Sequence, residues 1–182
     1  MKILIFLIAL LSGLFNCSST QTVYDKEKKG ELILKIDDLS SGNGFIRMIV
    51  FDEDGKEGYP GDSRSSVYAC ILPANISEEM VIQISDLPYG RYAIIYMHDE
   101  NANAEFDLLL PKKEWLFFLP NWPVEGYGYS NVNRPSIGTP KFESASFILD
   151  KDSKTFELYT SYFWRRYGIL SIALINALLS GG

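Results

Sequence analysis

The chain is poor in the residues that most enzymes and metal proteins rely on. It contains one His and two Cys in 182 residues. That inventory cannot build a His-rich metal site or a disulfide framework. Basic residues form no stripe either: the formal net charge is -6, and Lys and Arg come at most two in a row, as at Arg165–Arg166. Binding to a phosphate backbone needs a clustered basic surface, so nucleic acid is excluded as a partner. No G-x-S-x-G nucleophile elbow occurs. No apolar run reaches the length of a membrane span, and there is no internal repeat or low-complexity tract.

The N-terminus carries an export signal. Lys2 supplies a minimal positive start, and Ile3 to Leu11 form an apolar stretch of signal-peptide length. Leu14-Phe15-Asn16-Cys17 follows and resembles a bacterial lipobox, in which the Cys is acylated and becomes the mature N-terminus. Phe15 and Asn16 depart from the small residues usual there. Residues 1–16 are therefore assigned to a signal peptide and residues 17–30 to a tether, whose Ser18, Ser19, Thr20, Gln21 and Thr22 suit a lipid-anchored protein. Secretion without lipid and an uncleaved N-terminal anchor are the alternatives. With Cys17 carrying lipid, Cys70 stands alone in the apolar run VYACIL and reads as a small buried hydrophobe. A Cys17–Cys70 bridge would need a non-lipidated, ordered N-terminus. The sequon Asn75-Ile76-Ser77 means little in a bacterial host.

What the chain has in abundance is apolar and aromatic side chains. Hydrophobic residues make up 47%, enough for a sizeable core, and aromatics 14%, which favour strands. The body is built of period-2 segments separated by turn clusters. In ELILKIDDL (31–39), Leu32, Leu34 and Ile36 share one side; in GFIRMIVFD (44–52), Ile46, Met48 and Val50 share one face and Phe45, Arg47, Ile49 and Phe51 the other. Further strand-like segments are 66–72, 80–87, 91–99, 144–150 and 155–163. About seven strands at short spacing, with no helical period before residue 164, predict an all-β fold: an antiparallel β-sandwich over residues 31–163.

Two regions do not read as strands. Residues 108–123, LLLPKKEWLFFLPNWP, combine three prolines with Trp115, Phe117, Phe118 and Trp122. Proline excludes them from a central strand, so a covering loop is expected. Trp115 and Trp122 would either pack with that cover or stand exposed to stack on sugar rings or enter a membrane interface. The tail, residues 164–182, holds an apolar run at 169–179. As a helix that run would be about 16 Å long, against roughly 30 Å of hydrocarbon. It could pack on the domain, lie in an interface or meet a partner.

Three motifs in order carry a family resemblance: DLPYGRYAIIYMHDENANAEFD (86–107), EGYGYSN (125–131) and PKFESASFIL (140–149). Their spacing resembles the DUF2141 family of bacterial exported proteins over about residues 31–161. The elements are Leu87, Pro88, Gly90 and Tyr92; His98 to Asn101, Asn103 and Asp107; Glu125 to Asn131; and Pro140, Phe142, Ala145 and Phe147. The resemblance implies a transthyretin-like or carboxypeptidase-regulatory-like β-sandwich and no assigned activity. Ala104 departs from the family's usual Gly, the segment between Asp107 and Glu125 is longer and more aromatic, and the apolar tail lies outside the pattern.

The stretch MHDENANAEFD (97–107) is the main candidate site. Asp99, Asn101, Asn103 and Asp107 fall at positions 1, 3, 5 and 9 of an EF-hand-style loop, which makes calcium the one candidate cofactor. Against it, Ala104 stands where Gly is wanted and Leu110 where a bidentate carboxylate is wanted. The competing reading is a loop knitted by Asp and Asn side chains onto backbone N–H groups. His98, oriented by Asp99 or Glu125, could serve as a general base, but a lone His ending an apolar strand is more often packed and hydrogen-bonded. The EGYGYSN segment is expected to lie against this corner. Its two glycines would allow sharp turns, Tyr127 and Tyr129 would cover the His98 side, and Glu125 and Asn131 would flank it.

The sequence therefore predicts a non-catalytic, lipid-anchored envelope protein. It would sit on the periplasmic face or at the cell surface, held to the membrane by lipid at Cys17, with an envelope protein or a glycan as partner. The alternatives are a calcium- or carbohydrate-binding module using the 98–107 loop and the 115–122 aromatics, and an enzyme centred on His98.

Overall fold

The computed structural model describes residues 24–108, 123–132 and 139–162. The expectations placed on Cys17, Trp115, Trp122 and the tail 164–182 lie outside the described residues. Among the described residues there are eight strands: β1 (Lys29–Asp37), β2 (Phe45–Asp52), β3 (Tyr68–Pro73), β4 (Met80–Pro88), β5 (Gly90–Asp99), β6 (Gly126–Tyr129), β7 (Phe147–Leu149) and β8 (Ser153–Tyr159). They form two sheets, ordered β4-β1-β8 and β3-β2-β5-β6, with β7 also pairing β5. This is the all-β sandwich that the alternation predicts. Among the described residues no helix is long and apolar enough to cross a membrane.

The period-2 positions meet between the sheets. Leu32, Leu34 and Ile36 of β1 and Met80, Ile82 and Ile84 of β4 face Ile46, Met48 and Val50 of β2 and Tyr92, Ile94 and Tyr96 of β5. Each such side chain contributes about 1.5–3 kcal/mol on full burial. A one-residue slip of any strand would turn its set to water, so burial itself fixes the register. A second cluster lies on the other face of β5: Phe51, Ala93, Tyr129, Phe142 and Ala145 are buried together. The Tyr59 ring meets Phe51 and Phe142 edge-on at 5.4 and 5.8 Å. β5 is thus covered on both faces, which is why RYAIIYM reads as a near-continuous apolar run.

Three details differ from the sequence reading. The pairing of β1 with β8 is parallel, from Glu31↔Ser153 to Asp37↔Tyr159, in an otherwise antiparallel fold. The stretch 144–150, expected as one strand, is split: α1 (Phe142–Ala145) is a single helical turn, and only Phe147–Leu149 is strand. That turn seats Phe142 and Ala145 in the second cluster, a tertiary demand that local alternation does not reveal. EGYGYSN, expected as a sharply turning loop, contains β6, paired with β5 from Ile95↔Tyr129 to His98↔Gly126.

One side of the sandwich is closed by β8. Lys154 Nζ donates to the Ile148 carbonyl at 2.6 Å and lies over the Phe147 and Phe156 rings. Past β8 the chain crosses to the other sheet. Thr160 donates to the Asp37 carbonyl through both its N–H and its hydroxyl, at 3.1 and 2.8 Å. Tyr127 and Ser161 exchange two backbone hydrogen bonds of 3.1 and 2.8 Å. Tyr96 completes the seam, with its hydroxyl 3.1 Å from Thr160 Oγ1. On the opposite side the outer edges of β3 and β4 have no strand partner among the described residues.

The glycines of β6 make that closure possible. A Cβ on Gly126 would lie 2.5 Å from the Tyr162 ring, and one on Gly128 would lie 2.3 Å from the Tyr96 ring. Both rings are buried and cannot withdraw. Gly128→Ala is expected to destabilise the domain by about 1–3 kcal/mol through overpacking. Urea denaturation checks this, with an unchanged m-value expected.

Candidate functional site

Strand β5 delivers the candidate residues to one end of the sandwich. Alternation turns His98 toward the inter-sheet core, opposite Ile46, and Asp99 to the outer side, opposite Phe45. His98 is fully buried. Its Nε2 lies 2.8 Å from the Asn43 carbonyl, and its Nδ1 lies 2.5 Å from the Tyr162 hydroxyl. A carbonyl only accepts, so Nε2 carries the proton and Nδ1 accepts from Tyr162. The same hydroxyl accepts from the Ser40 N–H at 3.0 Å. Both ring nitrogens therefore hold backbone in place: one pins the β1–β2 connection directly, the other through Tyr162. Gly44 completes this corner with φ 70, because a Cβ there would fall 1.9 Å from the Asp99 carbonyl oxygen.

Asp99 is also fully buried. Its Oδ2 accepts from Arg47 Nε at 2.6 Å and from the Ala104 N–H at 3.0 Å, and its Oδ1 accepts from the Asn103 N–H at 3.1 Å. Burial alone would raise its pKa. The Arg47 guanidinium and the amides of Ala104 and Asn103 outweigh that and hold the carboxyl below its ordinary value. Arg47 reaches it from β2 with its side chain 22% exposed, so the charge pair is closed on the Asp99 side and open to water on the other.

The rest of the loop is self-contained. Asn101 Oδ1 accepts from the Asn103 N–H at 3.0 Å, and Asn103 Oδ1 from the Glu105 N–H at 2.7 Å. Asp107 receives the side-chain amide of Asn101 at 2.6 Å and that of Asn103 at 3.1 Å on each oxygen. Ala102 and Ala104 both take left-handed backbone, with φ 59 and 66. The oxygens that an ion would need are thus directed at backbone amides and at Asn side chains, and Asp99 already carries a cation in Arg47. Among the described residues, no group of three or more His, Cys, Asp or Glu is placed to hold a metal.

Glu125 anchors the loop from beneath. It is buried, and its two carboxylate oxygens accept from the Glu100 N–H at 3.1 Å and the Asp107 N–H at 3.3 Å. Burial pushes its pKa up, helped by the charges of Asp107 and Asp99, and the amides of Asp107 and Glu100 only partly counter this. Glu100 Oε1 accepts from the hydroxyls of Ser40 and Ser41 at 2.6 and 2.7 Å, so the loop is tied to the β1–β2 connection as well.

The EGYGYSN segment does lie against this corner, but its tyrosines do not cover His98. The register puts Gly126 opposite His98, and Tyr127 opposite Met97 on the reverse face. Tyr127 meets Phe106 and Tyr129 edge-on, both at 6.0 Å. The side chain that covers His98 is Tyr162, with ring centroids 6.2 Å apart. Asn131 has φ 57 and donates to the Ser146 carbonyl at 3.2 Å.

Four contributors were given no such role by the sequence reading, although Glu100 and Ser130 lie within its motifs. Tyr162 lay in a segment read only as a late strand, with nothing to tie it to His98. Arg47 is the one charged residue within FIRMIVF, and that oddity was the available signal for a partner. Glu100 sits inside the loop motif without a template position. Ser130 is fully buried between β6 and β7. Its Oγ accepts from the Ile94 N–H at 2.8 Å and donates to the Ala145 carbonyl at 2.7 Å, filling a gap in the ladder along β5.

Fold and corner together define a two-sheet sandwich in which an acidic Asp/Asn loop is stitched to its neighbours by buried hydrogen bonds. The chain belongs to the family described as an uncharacterized protein conserved in bacteria (DUF2141), whose model matches residues 34–157. No curated protein matches it. Among solved structures it is similar to a fimbrial assembly protein from Parabacteroides distasonis, at 13% identity and a TM-score of 0.36. The similarity covers 74% of this chain and 53% of that one, so the chain spans about half the length of that protein.

The corner makes stability depend on pH with opposing signs. Asp99, held low, contributes stability that is present above its unfolded pKa of about 3.9 and is lost as pH falls through the folded value. Glu125, pushed up, contributes below about 4.3, and its contribution is lost as pH rises through the folded value. Asp99→Asn leaves Arg47 without its counter-charge and is expected to cost about 3 kcal/mol at neutral pH. In urea titrations at pH 7, 5 and 3, the gap to the native chain should narrow as pH falls. A gap independent of pH would contradict the assigned pair.

Proposed function

We propose that the protein is a bacterial cell-envelope lipoprotein whose sandwich is a non-catalytic binding or interaction module. The observation that carries this reading is the engagement of the chain's reactive groups. Both nitrogens of the sole histidine, both oxygens of Asp99 and both oxygens of Glu125 hold backbone or Arg47 in place. A general base needs a nitrogen or oxygen free to meet a substrate proton, and this corner offers none of the three. An open groove of about 430 Å³ at the other end of β5 is lined by Tyr24, Tyr68, Tyr89 and Tyr92, with Arg91 and Asp52 among its charged groups. Aromatic rings beside a few fixed charges suit recognition of a ligand or partner.

The lipid anchor rests on Leu14-Phe15-Asn16-Cys17 and the polar tether behind it, and membership of a bacterial family supports it. In a bacterial host fed labelled palmitate, the full chain should incorporate label and Cys17→Ser should not. Label retained by Cys17→Ser, or none in the native chain, removes the anchor. Calcium is tested by melting temperature. A site occupied at one hundred times its Kd would add about 2.7 kcal/mol to stability, a shift of several degrees. A flat response up to millimolar calcium is the expected result, and a rise abolished by Asp107→Asn would replace the structural reading of the loop with an ion site.

A further inference from the structure

The tyrosine-lined groove is bounded by both sheets. Tyr68 of β3 and Tyr92 of β5 line it from one, and Gln83 to Leu87 of β4 from the other. Its charges do not cancel. Four carboxylates, Asp52, Glu53, Asp54 and Asp86, stand against two cations, Lys26 and Arg91, an excess of two negative charges. Both cations are already engaged: Lys26 Nζ lies 2.9 Å from Asp54 Oδ2, and Arg91 lies 3.8 Å from Glu53. Asp52 and Asp86 make no ion pair among the described residues. The lining thus combines four tyrosine rings with two carboxylates that have no counter-charge.

The phenols in the groove feel that excess. Burial, and then the Asp52 charge, push the Tyr92 hydroxyl up to about 12. The hydrogen bond to Asp152, followed by burial and the charges of Asp152, Asp150 and Asp25, pushes Tyr89 in the same direction. A field that opposes loss of a phenol proton favours a cation placed among the rings. The ring faces themselves carry the same negative sign. Carboxylates alone do not make this case. A second groove of about 600 Å³, beside β1 and β4, is lined by Asp37, Asp38, Glu78, Glu79 and Glu157 but by no aromatic side chain, and it carries no such inference.

We propose that this groove binds an alkylammonium group, with tyrosine rings against its positive head and Asp52 and Asp86 as its counter-charge. The inference rests on the reading of the sandwich as a non-catalytic binding module and names the ligand class. Charge complementarity selects it. A phosphate or carboxylate ligand would meet an excess of its own sign. A neutral sugar would stack on the rings but leave two carboxylates covered and uncompensated. An ammonium group satisfies the rings and the carboxylates together. Such a group reaches an envelope protein as a free amine or as a phospholipid headgroup. The N-terminal segment brings the headgroup near. Tyr24 and Lys26 line the groove, and the Lys28 carbonyl accepts from the Tyr89 N–H at 2.9 Å. Cys17 precedes Tyr24 by seven residues, a reach of at most about 25 Å of extended chain.

The test uses the full chain in an uncharged detergent and ligand-observed NMR with choline and ethanolamine as probes. At least one should bind. For choline, the neutral tert-butyl isostere has the same shape without the charge. That isostere, and glucose, should bind at least about tenfold more weakly than the better probe, a difference of about 1.4 kcal/mol. Asp86→Asn keeps a residue that tolerates the φ of 61 found there and should weaken the ammonium probe about tenfold. Tyr24→Leu removes one ring at the rim and gives a second reading that does not depend on Asp86→Asn folding. Melting temperatures close to that of the native chain check both variants. Each probe is also offered as its glycerophosphodiester. Tighter binding of that form assigns the ammonium to a lipid headgroup, and weaker binding to a free amine. No binding of either probe, equal binding of the isostere or of glucose, or affinity unchanged in both folded variants overturns the proposal. A probe converted to a new compound in the tube would instead overturn the non-catalytic reading, so the two failures are told apart.

Discussion

Two missing side chains set the geometry of the His98 corner. The Tyr96 and Tyr162 rings press against Gly128 and Gly126 at distances that no Cβ would permit. Because β6 gives them that room, the Tyr162 hydroxyl reaches the His98 ring and the Ser40 N–H at once, and the Tyr96 hydroxyl reaches Thr160. The segment that carries Tyr162 ties the last strand of one sheet to β6 of the other. Residue size at two positions therefore decides whether the sheets are stitched along this side. Closing the seam removes polar groups from water, and each must be satisfied where it lies. That is why hydroxyls, a histidine and carbonyls alternate along it.

The sandwich was legible because burial in β1, β2 and β4 follows the side-chain period of two. Leu32, Leu34 and Ile36, or Ile46, Met48 and Val50, announce one wet face and one dry one. β5 was visible as a strand, but its second buried face was not explained. The turn of helix at Phe142–Ala145 that covers it is too short to leave a period. The parallel pairing of β1 with β8 was invisible for a different reason: direction of pairing between distant strands leaves no local mark in sequence.

At the corner, sequence identified the residues and left two roles open for the loop, an ion site and a set of backbone caps. Asp99, Asn101, Asn103 and Asp107 have the spacing of an ion loop because Asx side chains that cap successive amides also recur at every second residue. The two uses differ in what lies opposite Asp99. That turned on Arg47, more than fifty residues away on β2. Gly126 and Gly128 suggested turns, since glycine most often serves that need. Here they serve close approach inside a strand, which only the register against β5 reveals.

The parallel β1–β8 pair also bears on how the molecule is made. A chain leaving the ribosome presents β1 early, and β4 can reach it after a modest loop. Its other neighbour is the last strand of the domain, from Ser153 to Tyr159. Until that strand emerges, one flank of β1 has no backbone partner and the His98 corner lacks Tyr162. Long-range pairing of this sort is slow and leaves partly built sheets open to misassembly. The sandwich therefore cannot close until nearly all of the chain has been made, and β1 waits for its second neighbour longer than any other strand of its sheet.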